Sequence, residues 1–274
     1  MPYWKRRVAE QNSLAVACRS VLTTENPIEK ATIARHIAED WRLGRLSRDN
    51  KKLADWPERP ARPPKPELLP PRDMPRRKIN GESGRKAQLH ALAHIELNAI
   101  NLAFDLIGRF VAAPLDNSFI DDWMQVGADE ARHFRMLADR LAELDMQYGD
   151  LPAHDGLWQA AFDTRHSLLA RLSIVPLVLE ARGLDVTPTM MKKFERAGDA
   201  KSAKMLSIIY EDEKTHVFAG SKWFLQLCED NGLEPAKCFR DQLKTHFGGS
   251  LKPPFNIAAR DEAGLPRHFY TDPD

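Results

Sequence analysis

Two stretches of the sequence decide the fold prediction: "DEARH" at residues 129–133 and "DEKTH" at residues 212–216. Both have the pattern Asp-Glu-x-x-His. The glutamate and the histidine are three residues apart, so on a helix they lie on one face and can chelate a metal ion together. Two such pentads are expected by chance in roughly one of a thousand chains of this composition. The repeat therefore indicates a metal site rather than a coincidence.

The side chains around each pentad predict that its glutamate points into a protein core. Glu130 shares its predicted helix face with Trp123, Val126, Phe134 and Leu137, and Glu213 shares its own with Leu206, Ile209, Tyr210, Val217 and Gly220. An unpaired carboxylate is costly to bury, so the chain must supply cations or neutralising protons. A pair of metal ions would meet this need.

Two further glutamates complete a ligand set. Two Glu-x-x-His helices provide four ligands, and helix-bundle sites of this type add one glutamate from each of the other two helices. Glu96 and Glu180 stand in apolar segments, 34 residues before Glu130 and 33 residues before Glu213, respectively. Each half of the chain is therefore predicted to supply one side of a dinuclear site.

The aspartate that opens each pentad has a predicted role behind the metal ligands. A metal-bound imidazole normally donates its other N–H to a carboxylate. Asp129 and Asp212 are candidates for this role, reaching across to His216 and His133 on the opposite helices. The alternative is that both are ordinary exposed helix charges.

The sequence predicts an all-α fold. Apolar spacing and capping residues predict helices at residues 5–22 and 27–42, from Gly84 to a stop at Pro114, and at residues 117–146, 199–230 and about 234–247. Thr187 and Pro188 predict the cap and first position of a further helix, and Pro176 predicts a kink or a late helix start. No stretch alternates with period two, so we expect no sheet.

Composition divides the chain into four predicted parts. They are an N-terminal helical segment (1–55), a Pro-rich basic connector (56–83), a four-helix bundle (84–231), and a C-terminal helix with an extended tail (232–274). Residues 56–75 contain eight prolines, and residues 42–79 hold twelve Lys/Arg against five Asp/Glu. The connector is either a solvated linker wrapped along the domain or a basic arm for a polyanionic substrate.

Charge and cysteine content exclude several classes of protein. With 40 basic and 39 acidic residues, the chain has no overall field that would favour nucleic acid or an anionic membrane. Three separated cysteines without a CxxC pair argue against a disulfide framework, a rubredoxin-type iron site or a zinc ribbon, and favour a reducing cytoplasmic location. No apolar run is long enough for a membrane span. Nucleotide-binding, serine hydrolase and zinc peptidase motifs are absent.

The order Glu96, "DEARH", Glu180, "DEKTH" resembles the ferritin-like di-iron carboxylate superfamily. "AHIELNAI", "LEARGLD" and "PPFNIAAR" more particularly resemble a family of unknown function within it, distantly similar to tRNA-modifying di-iron hydroxylases. The resemblance implies a ferritin-like four-helix bundle with a long central crossover over residues 84–231. It also implies two iron ions bridged by Glu130 and Glu213, with Glu96, His133, Glu180 and His216 as terminal ligands.

These features predict an oxygen-activating oxidoreductase, a hydroxylase (monooxygenase) or an oxidase. Two Fe(II) ions in an apolar cavity can deliver two electrons to O2 together, and manganese suits the same ligands. Expected partners are O2, an unidentified substrate and an electron-donor protein; nucleic acid and a homodimer stay open, and no membrane is expected. The alternative is a ferroxidase or peroxidase of rubrerythrin or ferritin type.

Three single residues carry separate predictions. Tyr210, one turn before Glu213, is the candidate catalytic residue because its phenol could hydrogen-bond a ligand or host a radical; the alternative is a core tyrosine with a satisfied hydroxyl. His90 and His94 could chelate a metal, but we expect a surface or capping role for them.

Overall fold

The computed structural model describes residues 12–48, 53–75, 81–248 and 250–271. Within these residues the regular structure is helical, and the only strand-like features are two isolated bridges, Ser13 with Ser47 and Leu68 with Ala153. The predicted all-α helical-bundle fold is confirmed. Among the described helices, none combines the length and apolar character needed to cross a bilayer.

The described helices follow one another along the chain, and the Pro-rich connector separates the second helix from the third. They are α1 (Leu14–Thr23), α2 (Pro27–Arg42), α3 (Gly81–Arg109), α4 (Asn117–Glu143), α5 (Gly156–Asp163), α6 (Leu168–Ile174), α7 (Ala181–Arg196), α8 (Ala200–Asp230), α9 (Pro235–His246) and α10 (Ile257–Glu262). A π-helix, Val175–Glu180, lies between α6 and α7, and short 3₁₀ turns lie at Pro71–Asp73 and Arg267–Phe269.

The chain forms two compact units, residues 1–158 and residues 159–274. In the first unit, α3 and α4 pack along each other, and α1 and α2 pack against this pair. In the second unit, the π-helix and α7 pack against α8. The predicted ferritin-like bundle would combine α3 and α4 with helices of the second unit, and that combination remains a prediction.

The close approach of α3 and α4 depends on a glycine. A Cβ atom built on Gly127 of α4 would stand 2.6 Å from the ring of Phe104 on α3. Most of α3 from Leu89 to Gly108 is buried, so this helix is the centre of the first unit. It is also the helix that carries Glu96.

The boundaries of the N-terminal helices agree with capping chemistry. Asn26 caps α2 by accepting from the backbone N–H groups of Ile28 and Glu29, and Pro27 is the first helical residue, as predicted. The helix predicted at residues 5–22 lies partly outside the described residues; its described part is α1.

Helix α3 ends at Arg109, before the predicted stop at Pro114. A residue distant in sequence stabilises the end of this helix. The guanidinium of Arg48 donates to the carbonyl oxygens of Val111, Ala113 and Leu115 at 2.6–2.9 Å. Carbonyl groups after a helix end need such donors. The contact joins residues far apart in sequence, so local signals did not reveal it.

The described part of the connector, residues 53–75, lies along the first unit. The N–H of Ala61 donates to the carbonyl of Leu22 at 2.7 Å, and the indole of Trp158 donates to the carbonyl of Glu58 at 3.1 Å. Further along, Ala153 exchanges backbone hydrogen bonds with Glu67 and Leu69. These contacts agree with a segment wrapped along the domain. A role for it in binding polyanions is untested.

Helix α7 differs from its predicted start. It begins at Ala181 and continues through Pro188, so the prediction that Thr187 caps a helix beginning at Pro188 is wrong. Pro176, for which a kink or late start was predicted, lies inside the π-helix that ends at Glu180. Proline lacks an N–H and disturbs the regular hydrogen-bond ladder, which accounts for irregular winding at this point.

Candidate metal centre

The first unit brings three of the predicted metal ligands together. Glu96 comes from α3, and Glu130 and His133 come from adjacent turns of α4. His133 Nδ1 lies 3.2 Å from Glu96 Oε2 and 3.5 Å from Glu130 Oε2. One ligand atom from each residue lies within 4.8 Å of the others. This is the compact carboxylate and imidazole cluster that the pentad spacing predicts.

The cluster is buried, as the apolar surroundings of the pentad predict. Glu130 and His133 are fully buried and Glu96 is 3% exposed. Burial raises the pKa of Glu96 to about 8, the negative charge of Glu130 adds to the rise, and His133 opposes it. A carboxyl group of this kind holds its proton at neutral pH unless a cation takes the proton's place.

Asp129 lies beside this cluster with its carboxylate mostly covered. Its Oδ2 accepts from Gln125 Nε2 at 2.9 Å, and its Oδ1 accepts from Arg132 Nη2 at 2.8 Å. Both donors belong to α4, so the aspartate is not simply an exposed helix charge. Its predicted contact with His216 would join the two units and stays a prediction.

The second unit holds the other half of the predicted ligand set. Glu213 and His216 lie together on α8, with His216 Nδ1 3.9 Å from Glu213 Oε1 and the imidazole 1% exposed. Glu180 is the last residue of the π-helix, which packs against α8. The half-buried Asp212 precedes Glu213, and its role behind a histidine remains a prediction.

Tyr210 is half-buried on α8, one turn before Glu213. Its hydroxyl oxygen accepts a hydrogen bond of 3.0 Å from the side-chain amide of Asn256, which belongs to the C-terminal tail. The structure therefore gives the hydroxyl a protein partner, in line with the alternative of a satisfied tyrosine. Its catalytic role is untested.

Sequence reasoning missed a stripe of buried polar side chains on α3. The stripe consists of His90, His94, Asn98, Asn101 and Asp105. The N–H of Gly149 donates to His90 Nε2 at 2.9 Å, and Arg62 Nη2 donates to Asn98 Oδ1 at 2.9 Å. Lys30 Nζ donates to Asn101 Oδ1 at 2.6 Å, and Trp56 Nε1 donates to Asp105 Oδ1 at 2.7 Å. The signal was present as polar residues three and four apart within an apolar helix.

The expected surface role of His90 and His94 is wrong, because both side chains are buried in this stripe. His94 Nε2 lies 3.1 Å from the carbonyl oxygen of His154 and 3.0 Å from Asn98 Nδ2, and Nδ1 lies 2.9 Å from the hydroxyl of Tyr148. Burial lowers the pKa of His94 to about 4, which keeps the ring neutral. Both histidines form hydrogen bonds with the loop after α4, His90 with Gly149 and His94 with Tyr148.

Comparison with known proteins gives two sequence matches. A family model described as "Protein of unknown function (DUF455)" matches residues 23–271. A protein of Haemophilus influenzae described as "Uncharacterized protein" is 38% identical over 260 residues, which cover 91% of this chain and 89% of that protein. No solved structure matches the chain. Neither description names an activity, so a functional proposal must come from the chemistry of the site.

Proposed function

The chain belongs to the family "Protein of unknown function (DUF455)", and we propose that it is a di-metal, oxygen-activating oxidoreductase of the ferritin-like superfamily. One observation carries the proposal: Glu96, Glu130 and His133 offer three ligand atoms within 4.8 Å of one another in the core of the first unit. The proposed metal is iron, with manganese as the substitute, because carboxylate and imidazole ligands suit both ions.

The donor set fits a divalent cation on physical grounds. Two carboxylates and an imidazole crowd together where water is excluded, and the neighbouring charge of Glu130 contributes to the raised pKa of Glu96. A cation bound here would neutralise both carboxylates and displace the proton from Glu96. Without a cation, the loss of the Glu96 proton beside Glu130 in an apolar core would be strongly unfavourable.

The second metal position is proposed from the internal repeat of the sequence. The spacing of Glu180, Glu213 and His216 matches that of Glu96, Glu130 and His133 to within one residue. In the proposal all six residues would hold the two ions through their carboxylate and imidazole groups. A single half would leave each ion with too few protein ligands for a stable bundle site.

An iron pair would supply two electrons to O2 in one place. The role of the chain would be to hold and shield that centre. Glu96 and His133 would orient an ion against α3 and α4, in a cluster whose burial excludes bulk water. Asp129, held by Gln125 and Arg132, would place a negative charge behind the ligands.

The proposed reaction is hydroxylation or oxidation of a substrate not yet identified. It requires O2 and an electron donor, which we propose to be a separate protein. The three cysteines are free thiols, in keeping with the proposed cytoplasmic location. A homodimer and a nucleic-acid substrate remain alternatives for the assembly and the substrate class.

Metal analysis tests the proposal. Protein purified without added metal and then loaded anaerobically with Fe(II) should bind about two ions per chain. The Glu130→Ala and Glu213→Ala variants should each bind less. Asp139→Ala on α4 and Glu211→Ala on α8 are matched controls, because both carboxylates are exposed and form surface ion pairs. The controls should bind as the unchanged protein does.

Oxygen chemistry is tested on the same samples. The Fe(II)-loaded protein should consume O2 faster than free Fe(II), and the Glu130→Ala variant should lose most of this acceleration. Storage of many iron ions per chain, or reaction with peroxide in preference to O2, would instead identify the ferroxidase or peroxidase alternative. Binding that is unchanged in both Glu→Ala variants would overturn the site.

A further inference from the structure

A proline inside α7 leaves one backbone carbonyl without its usual helix partner. Pro188 has no N–H, so the carbonyl of Leu184, four residues earlier, cannot accept the regular helical hydrogen bond. Leu184 is fully buried, and a buried carbonyl without a donor is costly. The side-chain amide of Asn256 supplies the donor, with Asn256 Nδ2 lying 3.1 Å from the Leu184 oxygen.

The same amide reaches the candidate catalytic tyrosine. Asn256 Nδ2 also lies 3.0 Å from the hydroxyl oxygen of Tyr210 on α8. An amide group has two N–H donors, so one can serve the carbonyl and the other the hydroxyl. Asn256 thus joins α7, which begins directly after Glu180, to the turn of α8 that precedes Glu213.

A buried ion pair keeps Asn256 in this place. The side chain of Asp185 is 1% exposed; its Oδ1 accepts from the backbone N–H of Asn256 at 2.9 Å, and its two oxygens accept from Arg260 at 2.9 and 2.7 Å. The guanidinium of Arg260 contacts the rings of Phe255 and Tyr270, 4.9 and 4.5 Å from their centroids. The tail is therefore built into the second unit.

We propose that Asn256 is a positioning residue for the second half of the metal site. Its amide replaces the helix donor that Pro188 removes, and so it keeps α7 continuous after Glu180 and fixes the hydroxyl of Tyr210. This inference rests on the proposed function, because the positioned elements matter only if Glu180 and Glu213 hold metal. It also gives the tail a role in building the site, distinct from that of a lid over substrate.

A double-mutant cycle between Asn256→Ala and Pro188→Ala tests whether the amide of Asn256 replaces the N–H that Pro188 lacks. Asn256→Ala alone removes three hydrogen bonds, those to Leu184 and Tyr210 and the cap in which its Oδ1 accepts from the N–H of Ala259, and should lower the folding equilibrium constant roughly a hundredfold. In the Pro188→Ala background the alanine N–H at position 188 supplies the donor to Leu184, so the same substitution should cost roughly fivefold less. The lost hydrogen bond to Tyr210 and the lost cap of α10 affect both backgrounds equally and cancel.

Asn231→Ala is the matched control for the cycle. The amide of Asn231 also donates to a helix carbonyl, that of Leu227 at 2.7 Å, but it caps the exposed end of α8. It should show no coupling to Pro188→Ala. Urea unfolding of the four cycle variants and of the control pair measures both couplings.

Fe(II) titration is the readout of positioning. Asn256→Ala should weaken the lower-affinity Fe(II) ion by about tenfold, the usual cost of disturbing the support of a ligand. Pro188→Ala combined with Asn256→Ala should restore most of that affinity. An unchanged Fe(II) affinity in Asn256→Ala, or a cycle without coupling, overturns the positioning role while leaving the metal site in place. An unaltered chain that binds no Fe(II) overturns the proposed function itself.

Discussion

Gly220 of α8 lies directly against the ring of Pro176: a Cβ atom at position 220 would stand 2.6 Å from Pro176 Cγ. Real Cβ atoms do not approach a proline ring so closely, and the ring cannot rotate away as a flexible side chain could. Only glycine therefore allows the π-helix to reach α8 at this distance. Since Glu180 ends the π-helix, this contact helps to set the position of one predicted ligand.

We expect Gly220→Ala to destabilise the protein by about 1–3 kcal/mol, because the added methyl group overpacks the contact with Pro176. Gly183→Ala is the matched control: no atom lies within 4 Å of its Cβ position, and alanine favours a helix. Urea unfolding of both variants measures the difference. Equal stability of the two variants would show that the π-helix and α8 do not pack this closely.

Glu96→Gln should stabilise the metal-free protein at alkaline pH. The pKa of Glu96 is raised from 4.5 to about 8 in the folded state by burial and by Glu130. Between pH 4.5 and about pH 8 the folded protein holds a proton on Glu96 that the unfolded chain releases. The free energy of unfolding therefore falls as pH rises through this range. Glutamine has no proton to release and should remove this part of the pH dependence.

Thermal unfolding of metal-free protein from pH 5 to pH 9 checks the effect of Glu96→Gln. The exposed Glu211→Gln should keep the slope of the unchanged protein. Fe(II) binding should weaken in Glu96→Gln, since an amide is a poorer ligand than a carboxylate. If Glu96→Gln kept the pH dependence of the unchanged protein, the pKa of Glu96 would not be raised in the folded state.

The features that sequence predicted were those fixed by local chemistry. The buried faces around Glu130 and the capping of α2 by Asn26 depend on neighbours within a few residues, so spacing revealed them. The continuation of α7 through Pro188 depends on Asn256, which is distant in sequence and close only after folding. Local rules predicted a helix start at Pro188, which is wrong, because they could not show that the tail supplies the donor that the proline lacks.

The roles of His90 and His94 were missed for a related reason. A histidine in an apolar helix is compatible with a surface position, a metal site or a hydrogen bond to a distant loop. The partner that decides between these for His94 is Tyr148, which follows α4. The second metal position is likewise a proposal about residues distant in sequence, and the repeat of the pentads is its supporting argument.

Tyr148→Phe should destabilise the first unit by about 1–2 kcal/mol, because His94 Nδ1 would lose its hydrogen-bond partner inside the protein. Tyr270→Phe is a useful comparison. The hydroxyl of Tyr270 is buried and has no hydrogen-bond partner among the described residues, so its removal should be neutral or stabilising. Urea unfolding of both variants gives the comparison, and a neutral Tyr148→Phe would contradict the Tyr148–His94 hydrogen bond.

Lys30 should make the stability of the protein depend on pH above neutrality. Its side chain is 1% exposed, and Nζ donates to the carbonyl of Ala61 at 3.0 Å and to Asn101 Oδ1 at 2.6 Å. Burial lowers the pKa of Lys30 from 10.5 to about 7, and the charge of Arg62 adds to the effect. Between about pH 7 and pH 10.5 the unfolded chain holds a proton on Lys30 that the folded protein has released.

The free energy of unfolding should therefore rise with pH through this window, by at most roughly 1.4 kcal/mol per pH unit from this one group. Lys30→Met keeps an unbranched apolar chain in the same space and should abolish that rise, whereas Lys237→Met on the exposed face of α9 should retain it. Urea unfolding at pH 7, 8 and 9 separates the two variants. If Lys30→Met kept the full slope, Lys30 would have to remain charged in the folded protein, and its two hydrogen bonds would then belong to an ammonium group.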